Sequence, residues 1–311
     1  MRLKGRKVLV TGAAGFLGSH LCEKLLIEGS GVRGFDIFNS GKKANLSGVL
    51  KKIDLVCGDV SSEDVVARAA MDVDAIVHLA FPMELRRRSM DNRAVIAALA
   101  GLMNLIQAAL RRKAVLVYIS SIAVYGNGQY NPIDESHPLE PVLIHGAVKL
   151  AGENLCATLS RSHGLRVVIL RVADIYGPRN TRVSVPIKFL LQALRDEPIT
   201  VYGDGSDSRT YTFIDDFSEA VVMSLLCPGA IGEIFNIGGD ECVTMHQLAL
   251  EVKKVTGSGS PVWFKDAPAA GRRLVINNLK SKKILGLKHS VSLTRGLSET
   301  YKWLLDNPGY Y

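Results

Sequence analysis

The chain has 311 residues, 47% of them apolar and 22% charged, with a formal net charge of +8. That is the composition of an ordinary globular protein with room for one large domain or two unequal ones, and it excludes disordered and fibrous classes. Five scattered cysteines (Cys22, Cys57, Cys156, Cys227, Cys242) form no CxxC pair and share no ligand spacing with the seven histidines, so reduced packing thiols and no metal site are expected.

The basic stretch 1–7 leads straight into residues 7–11 (KVLVT), a short apolar strand, and so reads as the start of the fold and not as a leader. Residues 16–28 follow with helical periodicity. Residues 32–36 and 53–57 read as strands, and 61–70 as a helix opened by a Ser61/Asp64 capping box. A strand at 75–79, a long apolar helix at 91–112 and a strand at 115–120 come next, then a helix at 145–163 and a strand at 166–171. The strands are near-continuous apolar runs, as expected when both faces are covered by helices, and the alternation predicts a doubly wound parallel α/β sheet. After Pro178 short strands at 199–202, 233–237 and 262–264 mix with helices, one opened by a Thr244/Gln247 capping box. We read residues 1–177 as one α/β domain and 178–311 as mainly a smaller α/β lobe, with a return to the first domain around 210–240. The longest apolar runs are short or broken by charge, so no membrane association is expected and a cytoplasmic location is. The basic residues are dispersed apart from Arg86-Arg87-Arg88 and Lys42-Lys43, without interleaved aromatics, which argues against nucleic acid. The arginine run is either a solvated face or an attractor for an anionic substrate.

Between the first strand and the first helix stands Thr11-Gly12-Ala13-Ala14-Gly15-Phe16-Leu17-Gly18, a GxxGxxG turn. Glycines there allow a tight turn and close approach of a pyrophosphate, which the helix N-terminus then stabilises. Asp36 ends the second strand, where a carboxylate can accept ribose hydroxyls of NAD and repel the extra phosphate of NADP. Lys42 and Lys43 nearby keep NADP open.

With these motifs in order, the chain resembles the extended short-chain dehydrogenases/reductases, the NAD-dependent nucleotide-sugar epimerases and dehydratases. TGAAGFLG is similar to the family's TGxxGFxG, SSIAVYG (120–126) to SSxxVYG, LRVADIYGP (170–178) to LRxxNxYGP, and FNIGG (235–239) to a further landmark. The resemblance implies NAD held by Gly12, Gly15, Phe16, Leu17 and Gly18, by Asp36, Asn39 and Ser40 at the ribose, and by Asp59 and Val60 at the adenine. It adds Leu79, Ala80, Lys149 and Ala173 along the cofactor, and it implies a Rossmann fold. It also implies a UDP-, GDP- or dTDP-linked sugar held by Ser121, Asp174, Tyr202, Arg209 and Arg272, and a homodimer formed through helices 91–112 and 145–163.

The departures bear on chemistry. The family's YxxxK reads His145-Gly146-Ala147-Val148-Lys149 here, so no phenol moves the proton. Residues four apart share a helix face, and the pair still points into one site. An imidazole, with an ordinary pKa of about 6.5, can take the role, and neighbouring positive charge keeps it a neutral acceptor. The expected catalytic set is therefore Ser121, His145 and Lys149. NxxGTxN loses its first asparagine to Ala98, and the asparagine of LRxxNxYGP is Asp174, whose carboxylate cannot donate to a phosphate. Ile122 and Ala123 stand where 4,6-dehydratases carry Asp-Glu, which ranks that reaction low. The leading expectation is epimerisation by transient oxidation at C4. An NAD-binding protein with lost catalysis, and a reductase of another carbonyl compound, stay open.

Overall fold

A computed structural model describes residues 3–86, 91–180, 182–267, 273–288 and 290–311. The first half of the chain lays down β1 (Lys7–Thr11), α1 (Phe16–Ile27), β2 (Gly31–Asp36), β3 (Asp54–Cys57), α2 (Glu63–Ala69), β4 (Ala75–His78), α3 (Asn92–Arg112), β5 (Val115–Ser121), α4 (Ile144–His163) and β6 (Val167–Val172). The second half adds β7 (Asp174–Tyr176), α5 (Val185–Leu194), β8 (Ile199–Tyr202), β9 (Ser208–Phe213), α6 (Ile214–Leu226), β10 (Ile234–Ile237), β11 (Cys242–Thr244), α7 (Met245–Thr256), β12 (Val262–Lys265), β13 (Arg273–Leu274), α8 (Leu279–Leu285) and α9 (Leu293–Asp306).

Seven parallel strands in the order β10-β6-β5-β4-β1-β2-β3 make the central sheet. Alternate residues of each strand feed opposite cores, as the two-residue period of a strand dictates. Val8 and Val10 of β1 join Leu21, Leu25, Phe217 and Val221 of α1 and α6 on one face. Leu9 joins Val66 of α2, Leu102, Leu105 and Ile106 of α3, and Cys156 of α4 on the other. The doubly wound sheet read from the sequence is thus the fold, and strands 234–237 and helix 214–226 from the second half belong to it. α3 is the one described helix long and apolar enough to cross a membrane by length and composition. In the fold it lies against the sheet.

The remaining strands of the second half were not all legible. β9 is flanked by β11 and β13 and also pairs with β7, while β8 pairs with β12 in a separate two-stranded sheet. The expected Thr244/Gln247 box is present, with Gln247 N donating to Thr244 Oγ1 (3.0 Å) and Thr244 N to Gln247 Oε1 (2.9 Å). The Ser61/Asp64 box is not. The Asp59 carboxylate takes the Ser61 N–H at 2.8 Å, and the helix starts two residues later behind Ser62, with no side-chain cap.

Candidate active site

The site is built at the carboxyl ends of β1, β4, β5 and β6. Gly12 adopts φ +68°, and a Cβ there would meet the Ala80 nitrogen at 3.0 Å. A Cβ on Gly18 would fall 2.1 Å from the Gly12 carbonyl oxygen, so the first turn of α1 rests directly on the loop. Gly15 is the N-cap of α1 and no side chain caps it, leaving the N–H groups of the Phe16, Leu17 and Gly18 turn directed out of the helix end. This cradle suits a pyrophosphate on physical grounds: close backbone approach, N–H donors and the positive end of the helix dipole.

Thr11 locks the loop to β4. Its hydroxyl accepts the N–H groups of Leu79 and Ala80, both at 3.1 Å, so its proton is left for Nδ1 of His78 at 3.0 Å. Nδ1 is then the acceptor and Nε2 carries the ring proton. Burial, aided by the Lys149 charge, pushes the His78 pKa down to about 3. That value lies below the ordinary 6.5, so from pH 6.5 downward the unfolded chain takes up a proton that the folded one refuses, and the stability involved is lost toward pH 3. In urea titrations between pH 7.5 and 4.5, His78→Asn, which can still accept from Thr11, should lose less stability on acidification than the wild type. Equal losses would refute the buried neutral ring.

Asp36 is buried at the end of β2. Its Oδ2 accepts the Ala14 N–H (2.8 Å) and its Oδ1 the Phe38 N–H (2.7 Å), leaving about half of a carboxylate's roughly four acceptor positions for ribose hydroxyls. Asn39 and Ser40 are exposed on the following loop. Lys42, one of the two lysines that kept NADP open in the sequence, is engaged by Tyr310. Its ammonium lies 3.9 Å from the centre of the Tyr310 ring and donates to the Tyr310 carbonyl (3.2 Å), while Tyr310 OH donates to Asn45 Oδ1 (3.3 Å). Tyr310 thereby pins the loop after β2, a contact between residues more than 260 positions apart that no local pattern announces. Asp59 is exposed, and Val60 is held by Asn104, whose Nδ2 donates to the Val60 carbonyl at 3.0 Å.

Ser121 ends β5 opposite Val172, with Ala173 and Asp174 just beyond β6. The Ser121 hydroxyl accepts the Ala123 N–H at 3.2 Å. Helix α4 is pressed onto this turn through Gly146, where a Cβ would sit 2.5 Å from the Ala123 carbonyl oxygen. His145 is half-buried, its ring edge-on to Phe81 with centroids 5.3 Å apart. Lys149 is buried, donates to the Ile119 carbonyl (2.6 Å) and holds its ammonium 4.2 Å from the centre of the same Phe81 ring. Phe81, which sequence reasoning missed, thus contacts both polar groups of the helix.

Beneath them runs a polar network also missed. Glu153, one turn beyond Lys149, accepts from Ser120 Oγ, from Arg171 Nη2 (2.7 Å) and from Arg171 Nε (3.1 Å to each oxygen). Arg171 Nη1 donates to Tyr125 OH (3.0 Å), which donates to Asn236 Oδ1 (2.6 Å). The available signal was the helical spacing 145, 149, 153 and one arginine inside the apolar run VVILRV.

β7 and β9 bring two predicted residues together: Arg209 Nη1 lies 3.1 Å from Asp174 Oδ2. Taken alone, Asp174 reads as a carboxylate repelling phosphate; in the fold it is the partner of the predicted phosphate arginine. Tyr202 is exposed on β8, with the Lys188 ammonium 4.8 Å from its ring centre. Arg87, Arg88 and Arg272 lie outside the described residues. Among the described residues no group of three or more His, Cys, Asp or Glu side chains could hold a metal.

Fold and cradle together define a Rossmann-type dinucleotide-binding protein. The model of the NAD-dependent epimerase/dehydratase family matches residues 8–238. The chain is 33% identical to an uncharacterized UDP-glucose epimerase of Bacillus subtilis, over 96% of this chain and 98% of that protein. It is 30% identical to a dTDP-glucose 4,6-dehydratase of Streptomyces niveus, over 98% and 94%. The crystal structure of UDP-glucuronic acid 4-epimerase from Bacillus cereus, in complex with UDP-glucuronic acid and NAD, aligns with a TM-score of 0.87 at 30% identity, covering 96% of this chain and 99% of that one. The chain belongs to the NAD-dependent epimerase/dehydratase family.

Proposed function

We propose that this protein is an NAD-dependent nucleotide-sugar epimerase in which His145 is the acid–base group. The observation that carries the reading is α4 itself. Gly146 seats the helix on the Ser121 turn, Lys149 donates to Ile119 of β5, and His145, four residues earlier on the same helix face, packs on the Phe81 ring that Lys149 also meets. When bound, NAD supplies reversible hydride acceptance. Ser121 orients the C4 hydroxyl of the sugar, the His145 imidazole takes the hydroxyl proton and later returns it, and Lys149 holds the nicotinamide ribose. Gly12, Gly15 and Gly18 receive the pyrophosphate, Asp36 the adenosine ribose, and Tyr202 and Arg209 the nucleotide of the substrate. The 4,6-dehydratase reading is weaker because Ile122 and Ala123 offer neither acid nor base. We further read the protein as cytoplasmic and as a homodimer through the apolar faces of α3 and α4; Ile96 of α3 is 67% exposed in the single chain.

The test is turnover of UDP-, GDP- and dTDP-sugars by wild type, His145→Ala and His145→Tyr. We expect His145→Ala to lose on the order of 10²-fold in kcat, the usual worth of a proton-transfer group. If wild type and His145→Ala are equally silent and only His145→Tyr turns over, the chain is a cofactor-binding protein with lost catalysis. Stoichiometric release of NADH would instead mark a dehydrogenase.

A further inference from the structure

Resting on the nucleotide-sugar reading, we propose that Asp174 is a specificity-determining residue that occupies Arg209 and weakens the grip of this site on a diphosphate. In the resemblance drawn above an asparagine stands at this position, and arginine is the natural fork for phosphate oxygens. Here β7 runs parallel to β9 with Asp174 opposite Tyr211, which sets the carboxylate beside Arg209 two residues earlier. The 3.1 Å contact is made by side chains that are 36% and 39% exposed, so the pair is accessible to a ligand.

Two costs follow for an incoming diphosphate. One guanidinium nitrogen is already engaged, so a fork onto phosphate requires the carboxylate to turn away. An exposed ion pair of this kind opens cheaply. The second cost does not vanish on opening: Asp174 is fixed to β7 and keeps its negative charge within about 5 Å of the phosphate position, a repulsion worth roughly tenfold in affinity for a doubly charged ligand at high dielectric. Asparagine removes the charge, keeps the size and restores a donor. Burial pulls the Arg209 pKa down and Asp174 is the strongest influence raising it, with Tyr211 and Asp207 adding to the rise.

The experiment is calorimetric titration of UDP into NAD-saturated wild type, Asp174→Asn, Arg209→Gln and the double variant, at low and at physiological salt. The expected result is a Kd for UDP about tenfold lower in Asp174→Asn, with the gain reduced by salt and still present when Arg209→Gln is added, because the repulsion does not act through Arg209. Asp174→Ser, which also removes the charge, should follow the same direction and serves if the asparagine variant fails to fold. Equal UDP affinity in wild type and Asp174→Asn would overturn the proposal while leaving the nucleotide-sugar reading intact. Absence of UDP binding in every variant, with NAD still bound, would overturn both.

Discussion

Glu153→Ala should lower the stability of the protein by about 3–5 kcal/mol, the cost of leaving a buried cation without its partner. The side chains of Glu153 and Arg171 are each 3% exposed, and the carboxylate takes three hydrogen bonds from Arg171 beside that from Ser120. The guanidinium cannot shed its proton and is buried, so removal of the carboxylate leaves a charge whose remaining hydrogen bonds, among the described residues, go to Tyr125 OH and the Glu135 carbonyl. Equilibrium urea unfolding measures the effect. A combined Glu153→Leu and Arg171→Met variant should recover most of the loss, because an apolar replacement of a buried pair is often neutral. A loss below about 1 kcal/mol for Glu153→Ala would put the pair in the class of exposed ion pairs and contradict its burial.

Gly18→Ala should cost NAD affinity on the order of 10²-fold, the loss of one or two hydrogen bonds to a charged group at roughly 1.5–3 kcal/mol each. A methyl at position 18 meets the Gly12 carbonyl oxygen at 2.1 Å, the Ala13 Cα at 2.7 Å and the Gly12 carbonyl carbon at 2.8 Å, all backbone atoms. None can rotate away, so the N-terminus of α1 must lift off the loop, and the N–H groups proposed to receive the pyrophosphate lift with it. Overpacking adds about 1–3 kcal/mol of destabilisation. Gly48→Ala, with open space around the position, is the control. Fluorescence titration with NAD separates the two variants. Wild-type affinity in Gly18→Ala would show that helix and loop are not in the contact described.

The two variants probe features of opposite legibility. Gly18 stood out in the sequence because the glycine turn, the strand before it and the helix after it lie within a dozen residues, and a local spacing carries its own geometry. Glu153 did not, because a carboxylate in an amphipathic helix looks solvated until the strand carrying Arg171 is laid beside it. The same contrast holds for Asp174. Its departure from an asparagine was legible, but its pairing with Arg209 required the register of β7 on β9, two short strands of which neither shows a period of its own.

By itself, then, the sequence determined the doubly wound sheet, the glycine turn between β1 and α1, Asp36 at the end of β2 and the His145–Lys149 pair on one helix, since apolar period and motif spacing act over one or two turns or strands. Only the tertiary structure decided that β10 completes the sheet beside β6, that Phe81 meets both His145 and Lys149, that Tyr310 claims Lys42 and that Asp174 claims Arg209. Each of these is a contact across long sequence separation. Side-chain identity there sets what can pair, but strand register and the packing of helices on the sheet choose which pairs form.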